Sequence, residues 1–180
     1  MADDTASRIS GVLDVRTQRV LLRGLAALRI FTGVVFVSNG LAKVFDAGSA
    51  DVGVFSFTLI TRGVARGIAT DASGRTGIAP LGGFYRDVVL PHWGLFGVLL
   101  TVGELAIGIG LIFGIASRLA ALGGLLFVAP IWIMLWHTNL YLWEYPLDLV
   151  PLLVFALVPA GRVAGFDRAL AARLRTGWPF

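Results

Sequence analysis

The sequence predicts an all-α fold, a four-transmembrane-helix bundle, from three observations. The 180-residue chain is 57% hydrophobic and 14% charged, with a mean hydropathy of +0.83, too apolar for a soluble domain of this size. Four apolar stretches, 25–45, 92–114, 118–137 and 146–161, follow one another along it. The first three are at or near the length that crosses a bilayer as a helix, and the fourth is short but extendable at either end. The arginines flank these stretches, as orientation signals do, and form no separate basic surface, so the net charge of +4 does not point to nucleic acid. One membrane domain over 1–180 is expected. There is no cysteine. Disulfides, thiolate metal sites, Fe–S clusters and a redox-active dithiol are therefore excluded, and any redox chemistry must use a bound cofactor or a partner.

Residues 1–24 begin polar, and Arg16, Arg19 and Arg23 then recur at helical spacing, with Leu13, Val20 and Leu21 elsewhere on the surface. Two readings stand side by side: an interfacial helix on an anionic cytoplasmic leaflet, or a solvated extension of the first span. About two dozen mostly polar residues precede the first apolar run and no small-residue cleavage site follows it, so no cleavable signal is expected.

In the first span, 25–45, Arg29, Thr32, Phe36, Asn39 and Lys43 step by three or four residues and form one stripe. Four of the five are polar, so the stripe should face the bundle interior or a wet cavity. Lys43 and Arg29 can each snorkel to an interface. Arg29 lies deeper, roughly 9 Å from mid-helix at 1.5 Å per residue, which favours an internal role. Asn39 can hold helices together by hydrogen bonds.

Residues 46–91 are too many for a structureless connection. They include an apolar run at 52–60 too short to span, Arg62 and Arg66 at helical spacing, a turn signal at 73–77, and a segment at 84–90 that stops at Pro91. An ordered external cap over one mouth of the bundle is expected.

The second span, 92–114, carries one acid, Glu104, near its middle. A carboxylate at that depth costs several kcal/mol unless paired, protonated or facing a polar cavity. Gly97, Thr101 and Gly108 share its face, so another helix can pack closely around it. Gly110 and Gly114 form a weak small-residue packing signal. In the third span Pro130 offers a kink, and Trp132, Trp136 and Trp143 suit an aromatic belt at the end opposite Arg118. The fourth span holds Asp148, Pro151 and Pro159, and residues 162–180 form a basic interfacial tail with Arg168, Arg173 and Arg175. Both arginine-rich termini are expected on the cytoplasmic side of a cell membrane, with the cap and tryptophan belt outside.

Two constellations are candidates for chemistry. At mid-membrane, opposed helices would place Glu104 close in depth to the stretch between Arg29 and Asn39. An ion pair with Arg29 or a hydrogen bond to Asn39 would make the acid tolerable. Such a pair either fixes helix packing or serves a quinone head group, a proton or a small solute. At the outer mouth, Lys43, Asp46, His92, His137, Glu144 and Asp148 fall at helix ends. Two histidines at similar depth offer ligands to a haem or a metal. Interfacial histidines without a cofactor are much commoner, so neither is expected. No nucleotide, serine-hydrolase or zinc-protease motif occurs.

Gly33, Asn39-Gly40 and Lys43, then Gly103-Glu104-Leu105-Ala106-Ile107-Gly108, Gly110 to Gly114, and Ser117-Arg118-Leu119-Ala120 resemble the conserved core of the DoxX family. The long segment before the second span, with Tyr85 and Val88-Val89-Leu90-Pro91, is similar to the DoxD-like branch, which includes the small membrane subunit of thiosulfate:quinone oxidoreductases. The resemblance covers about 29–167. It implies a four-helix membrane protein, often a subunit of a redox complex passing electrons to quinone with a second subunit. Other members resemble anchors for soluble oxidoreductases such as a sulfurtransferase-like protein and a superoxide dismutase. Glu104, Arg118 and Lys43 match the family pattern. The leading expectation is an oxidoreductase subunit contacting quinone, with Glu104 handling protons, Arg29 or Asn39 orienting it, and Lys43, His92, Arg118 and His137 as ligand-binding candidates. A non-catalytic anchor and a small-solute or sulfur-species transporter are the alternatives.

Overall fold

In the computed structural model of the chain, residues 2–139, 141, 144 and 146–180 are described, with side-chain detail in the first helix from Val15 onward. Helix α1 (Ala2–Phe45) leads into a hairpin, β1 (Ser49–Val52) and β2 (Phe55–Thr58). Then come α2 (Arg62–Arg75), α3 (Ala79–Phe84) with a π-helical turn (Tyr85–Val89), α4 (Trp93–Phe113), α5 (Ser117–Leu135), α6 (Pro146–Leu157), a 3₁₀ turn (Ala160–Arg162) and α7 (Asp167–Leu174). Among the described residues three helices are long and apolar enough to cross a membrane: Val15–Phe45 of α1, α4 and α5.

The fold is mostly helical, with one departure from the all-α expectation. The apolar run at 52–60 begins at the last residue of β1 and includes β2, paired antiparallel with β1 in the register Val52↔Phe55 and Ala50↔Phe57. Gly53 supplies the positive φ, +62°, at the first turn position, as a two-residue hairpin turn requires. Of the two readings of residues 1–24, the structure has the extension: α1 runs unbroken past residue 24, and the arginine-bearing residues continue the span. Val15, Val20 and Leu21 are all exposed. The fourth apolar stretch is helical only to Leu157; Pro159, which has no N–H to donate, precedes the 3₁₀ turn. At 12 residues, or about 18 Å at 1.5 Å per residue, α6 alone is shorter than a bilayer core. Pro130 leaves α5 a single helix. Trp132 is half-buried and Trp136 exposed on α5; Trp143 lies outside the described residues.

The polar stripe of α1 does face inward. Arg29, Thr32, Phe36 and Lys43 are buried and Asn39 half-buried. Two glycines make this possible, because the backbones of α1 and α4 touch. A Cβ on Gly33 would lie 2.8 Å from the Gly108 carbonyl oxygen, and one on Gly108 2.8 Å from that of Gly33. Helices α5 and α6 close the core around Phe36, Ile107, Leu111, Leu152 and Phe155. A second cluster, Ala72, Met134 and Leu135 with Leu81, Tyr85 and Ile131, seats α2 and α3 on the C-terminal part of α5.

At the other end of the α1–α4 contact lies a buried polar knot, in which Arg29 Nε and Nη1 and Asp167 Oδ1 have no hydrogen-bond partner. Arg29, fully buried, donates to the carbonyls of Ala164 at 2.9 Å and Val163 at 3.4 Å. Asp167, also fully buried, accepts from the Ser117 backbone N–H at 3.0 Å and from its hydroxyl. The two charges attract. Gly114 and Gly165 leave room for the guanidinium, and Gly161 for the carboxylate, since a Cβ on any of them would overlap those groups. Half-buried Arg118 donates to the Ala156 carbonyl at 3.0 Å and the Leu157 carbonyl at 3.1 Å. It thereby caps the C-terminus of α6, where a cation suits the helix dipole.

Two stability predictions follow from this packing. Gly108→Val is expected to force α1 and α4 apart and cost about 1–3 kcal/mol. Asp167→Asn is expected to weaken the charge-assisted hydrogen bonds from Ser117 and remove the attraction to Arg29, costing about 1–3 kcal/mol. Thermal unfolding of the purified protein in detergent measures both.

Candidate functional site

Helix α1 presents Asn39 and Lys43 one turn apart, and α4 brings Glu104 against them. The Lys43 Nζ lies 2.9 Å from Glu104 Oε2, with the side chains 1% and 13% exposed. This corrects the expected pairing of Glu104 with Arg29 or Asn39. It also removes the snorkelling reading of Lys43, whose side chain turns inward. The ammonium also donates to the Ile60 carbonyl at 2.8 Å and the Asn39 carbonyl at 3.4 Å. Asn39 Oδ1 accepts from the Ile60 N–H at 2.9 Å. The chain returning from the hairpin is thus clipped to α1 through both backbone groups of one residue. Glu104 Oε2 receives no well-aligned hydrogen bond, so its hold on Lys43 is chiefly charge–charge.

The pair forms part of the wall of a cavity of about 580 Å³, within the range of small-molecule sites. Phe36 and Val35 of α1, Leu99 and Leu100 of α4, and Leu126 and Phe127 of α5 give it an apolar lining. Ile68, Leu81 and Tyr85 from the segment between α1 and α4 close one end, with Trp93 at the start of α4 and Asp148 on α6. Burial pushes the Tyr85 phenol above its ordinary value of 10.0, so it stays a neutral donor throughout the physiological range. Several lining residues also face the surroundings: Leu126 is 72% exposed and Leu99 53%. On helices apolar enough to cross a membrane, such residues face acyl chains. The cavity therefore has walls shared with lipid and a polar spot at Lys43–Glu104.

Of the sequence candidates, Glu104, Asn39 and Lys43 come together here. Arg29 does not, being held in the glycine-lined knot about 21 Å along α1 from Lys43 at 1.5 Å per residue. Arg118 caps α6. His92 is exposed, its Nδ1 2.9 Å from the Val88 carbonyl oxygen, and the exposed His137 has Nε2 3.1 Å from that of Arg75. Each imidazole is committed to a nearby helix end, and neither lines the cavity. Among the described residues no three His, Cys, Asp or Glu side chains gather as a metal site. Sequence reasoning did not foresee Tyr85 and Trp93 as walls or Asp167 as the partner of Arg29. Opposite charges at same-side helix ends were the available signal for the last.

Removing Lys43 should leave Glu104 an unpaired intramembrane acid. Lys43→Met is expected to cost about 3–5 kcal/mol. The Lys43→Met, Glu104→Gln double variant should lose clearly less than the two single losses added together. Thermal unfolding of all four proteins closes this cycle, and strict additivity would show that the two side chains do not interact.

The model of the DoxX family matches residues 24–137, more than half of the chain. The match takes in Arg29, Asn39, Lys43, Glu104, Arg118 and every cavity wall except Asp148. Comparison with curated proteins and with solved structures gave no match. With three long apolar helices packed around a buried Lys–Glu pair, the chain is an integral membrane protein and belongs to the DoxX family.

Proposed function

We propose that this chain is a membrane subunit of a quinone-linked oxidoreductase complex, similar to the DoxD-like branch of its family, and that quinone occupies the cavity beside Lys43 and Glu104. The supporting observation is the cavity itself: apolar, partly walled by lipid-facing residues, with one buried cation–acid pair in its lining. A lipid-soluble ring with two carbonyl oxygens suits such a site. The apolar walls take the ring, and the donors Lys43 and Tyr85 address its oxygens.

The chemistry on this reading is a two-electron, two-proton reduction. A partner subunit carrying a redox centre supplies both electrons, because this chain has no cysteine with which to hold an Fe–S cluster or a dithiol. Lys43 stabilises negative charge developing on the nearer quinone oxygen. Glu104, once protonated from the aqueous side, delivers that proton to the nearer oxygen as a general acid, and the farther oxygen takes the second proton from the Tyr85 hydroxyl, which is reprotonated from water in turn. Asp148, on α6 and exposed while still lining the cavity, provides a carboxylate on that route. In this arrangement α6 is the fourth transmembrane helix, both termini are cytoplasmic, and residues 46–91 form the external cap.

Glu104→Gln keeps the shape and removes the acid. In the complex purified from its native membrane, quinone reduction by this variant should fall by about 10²–10⁴-fold, the usual contribution of general acid–base catalysis, while the subunits stay together. Wild-type turnover in Glu104→Gln would remove Glu104 from the mechanism.

A further inference from the structure

The hairpin sorts its side chains completely by face. In an antiparallel pair, residues directly opposite lie on one side of the ladder, and successive residues alternate. The register Val52↔Phe55 and Ala50↔Phe57 therefore puts four apolar side chains on one face, and Ser49, Asp51, Ser56 and Thr58 on the other. Phe55 and Phe57 stack at a ring-centroid distance of 6.3 Å, which confirms the shared side. Yet this apolar face is not packed into the protein. Phe55 is 64% exposed, Val52 64%, and Val54 at the turn 93%. A two-stranded hairpin is marginal by itself in water, so its apolar face calls for a cover.

The attachment points indicate what that cover is. The hairpin begins four residues beyond Phe45, where the lipid-facing surface of α1 ends in exposed Val44 and Phe45. Its second strand ends at Thr58, two residues before Ile60, which bonds to Lys43 and Asn39, two and six residues inside the end of α1. Both ends are thus held at the boundary of the membrane-spanning bundle, and only Asp46, Ala47 and Gly48 separate the exposed apolar end of α1 from the hairpin. The outer edges of a two-stranded ladder carry unpaired N–H and C=O groups, which hydrocarbon does not tolerate. The backbone must therefore stay among headgroups and water while the rings reach inward, as aromatic side chains do at membrane interfaces.

We infer that the hairpin of residues 49–58 is an interfacial membrane anchor. Ala50, Val52, Phe55 and Phe57 enter the leaflet at the Lys43 end of α1, and Ser49, Asp51, Ser56 and Thr58 face headgroups and water. Its two nearby acids, Asp46 and Asp51, give it no preference for anionic lipid. The hairpin holds the Ile60 clip over Lys43 from the membrane side, so the roof of the cavity is positioned partly by lipid. This depends on α1 and α4 crossing the bilayer and is independent of what the cavity binds.

The chain has no cysteine, so single-cysteine variants can be spin-labelled without background. Ala50→Cys, Val52→Cys, Ser49→Cys and Ser56→Cys leave both phenylalanines in place. In full-length protein reconstituted in phosphatidylcholine nanodiscs, collision with lipid-soluble oxygen is compared with collision with a water-soluble nickel chelate. Labels at 50 and 52 should favour oxygen several-fold over those at 49 and 56, and replacing half the lipid by phosphatidylglycerol should not change this. Replacing Phe55 and Phe57 by serine should move the label at 50 toward the value at 56. Equal nickel access on both faces would place the hairpin in water and overturn the inference. Shielding of 50 and 52 from both reagents would mean that protein covers this face, which also overturns it.

Discussion

Charge within a bilayer has to find a partner, and two cations on one face of α1 set the terms for most of this molecule. Arg29 and Lys43 both point away from lipid, and neither can reach water as a free side chain would. Each draws in a distant part of the chain. Lys43 gathers Glu104 from α4 and the Ile60 carbonyl from the end of the hairpin. Arg29 gathers the Val163 and Ala164 carbonyls and the charge of Asp167 from the segment after α6. A breakage between Lys43 and Glu104 leaves a buried charge uncompensated, which costs far more than the intact pair contributes. The two clusters therefore act as registry pins at either end of the α1–α4 contact. The touching glycines at 33 and 108 lie between them and allow both to close at once.

The two clusters differ in how tightly they are shut. Around Arg29 three glycines bring backbone against the charged groups, and Arg29 Nε and Nη1 and Asp167 Oδ1 are buried there without a hydrogen-bond partner. Around Lys43 the lysine donates to two carbonyls, while Glu104 has a single ionic partner and borders an open cavity. The open cavity beside Lys43 and Glu104 is what distinguishes that end, and the proposed function rests on it.

Much of this was legible in the sequence, and the parts that were not have definite causes. The stripe on α1 and the lone acid on α4 followed from helical periodicity, and the structure places the stripe inside. The partner of the acid did not follow. Depth measured from the centre of 25–45 took the span to begin where the apolar run begins, whereas α1 continues N-terminally as one helix and its packing against α4 is set by Gly33 and Gly108. Lysine also has a long side chain that can turn back along its own helix, so a residue near the helix end reaches an acid deeper in the membrane. Asp167 was hidden because its cluster forms across an irregular stretch where Ala164 adopts a positive φ, and no periodicity projects through such a stretch. The hairpin was half legible: the apolar run at 52–60 was too short to span, but its pairing rests on Gly53 and on alternation over only four residues per strand.

The anchor reading and the cavity reading meet at Ile60. Its carbonyl takes one of the three Lys43 donors and its N–H takes the Asn39 oxygen. Where Ile60 stays, Lys43 donates to the Ile60 and Asn39 carbonyls and keeps Glu104 as an ionic partner. A ligand that binds through Lys43 competes with these three oxygens. The Asn39 carbonyl is the weakest of them at 3.4 Å, but it belongs to an intact helix and cannot move far. Glu104 is the ligand's natural competitor, since protonation of the acid weakens its claim on the ammonium and frees that direction toward the cavity. On the proposed reading, proton uptake at Glu104 and ligand contact at Lys43 become one coupled event, a property that a lone intramembrane acid could not provide.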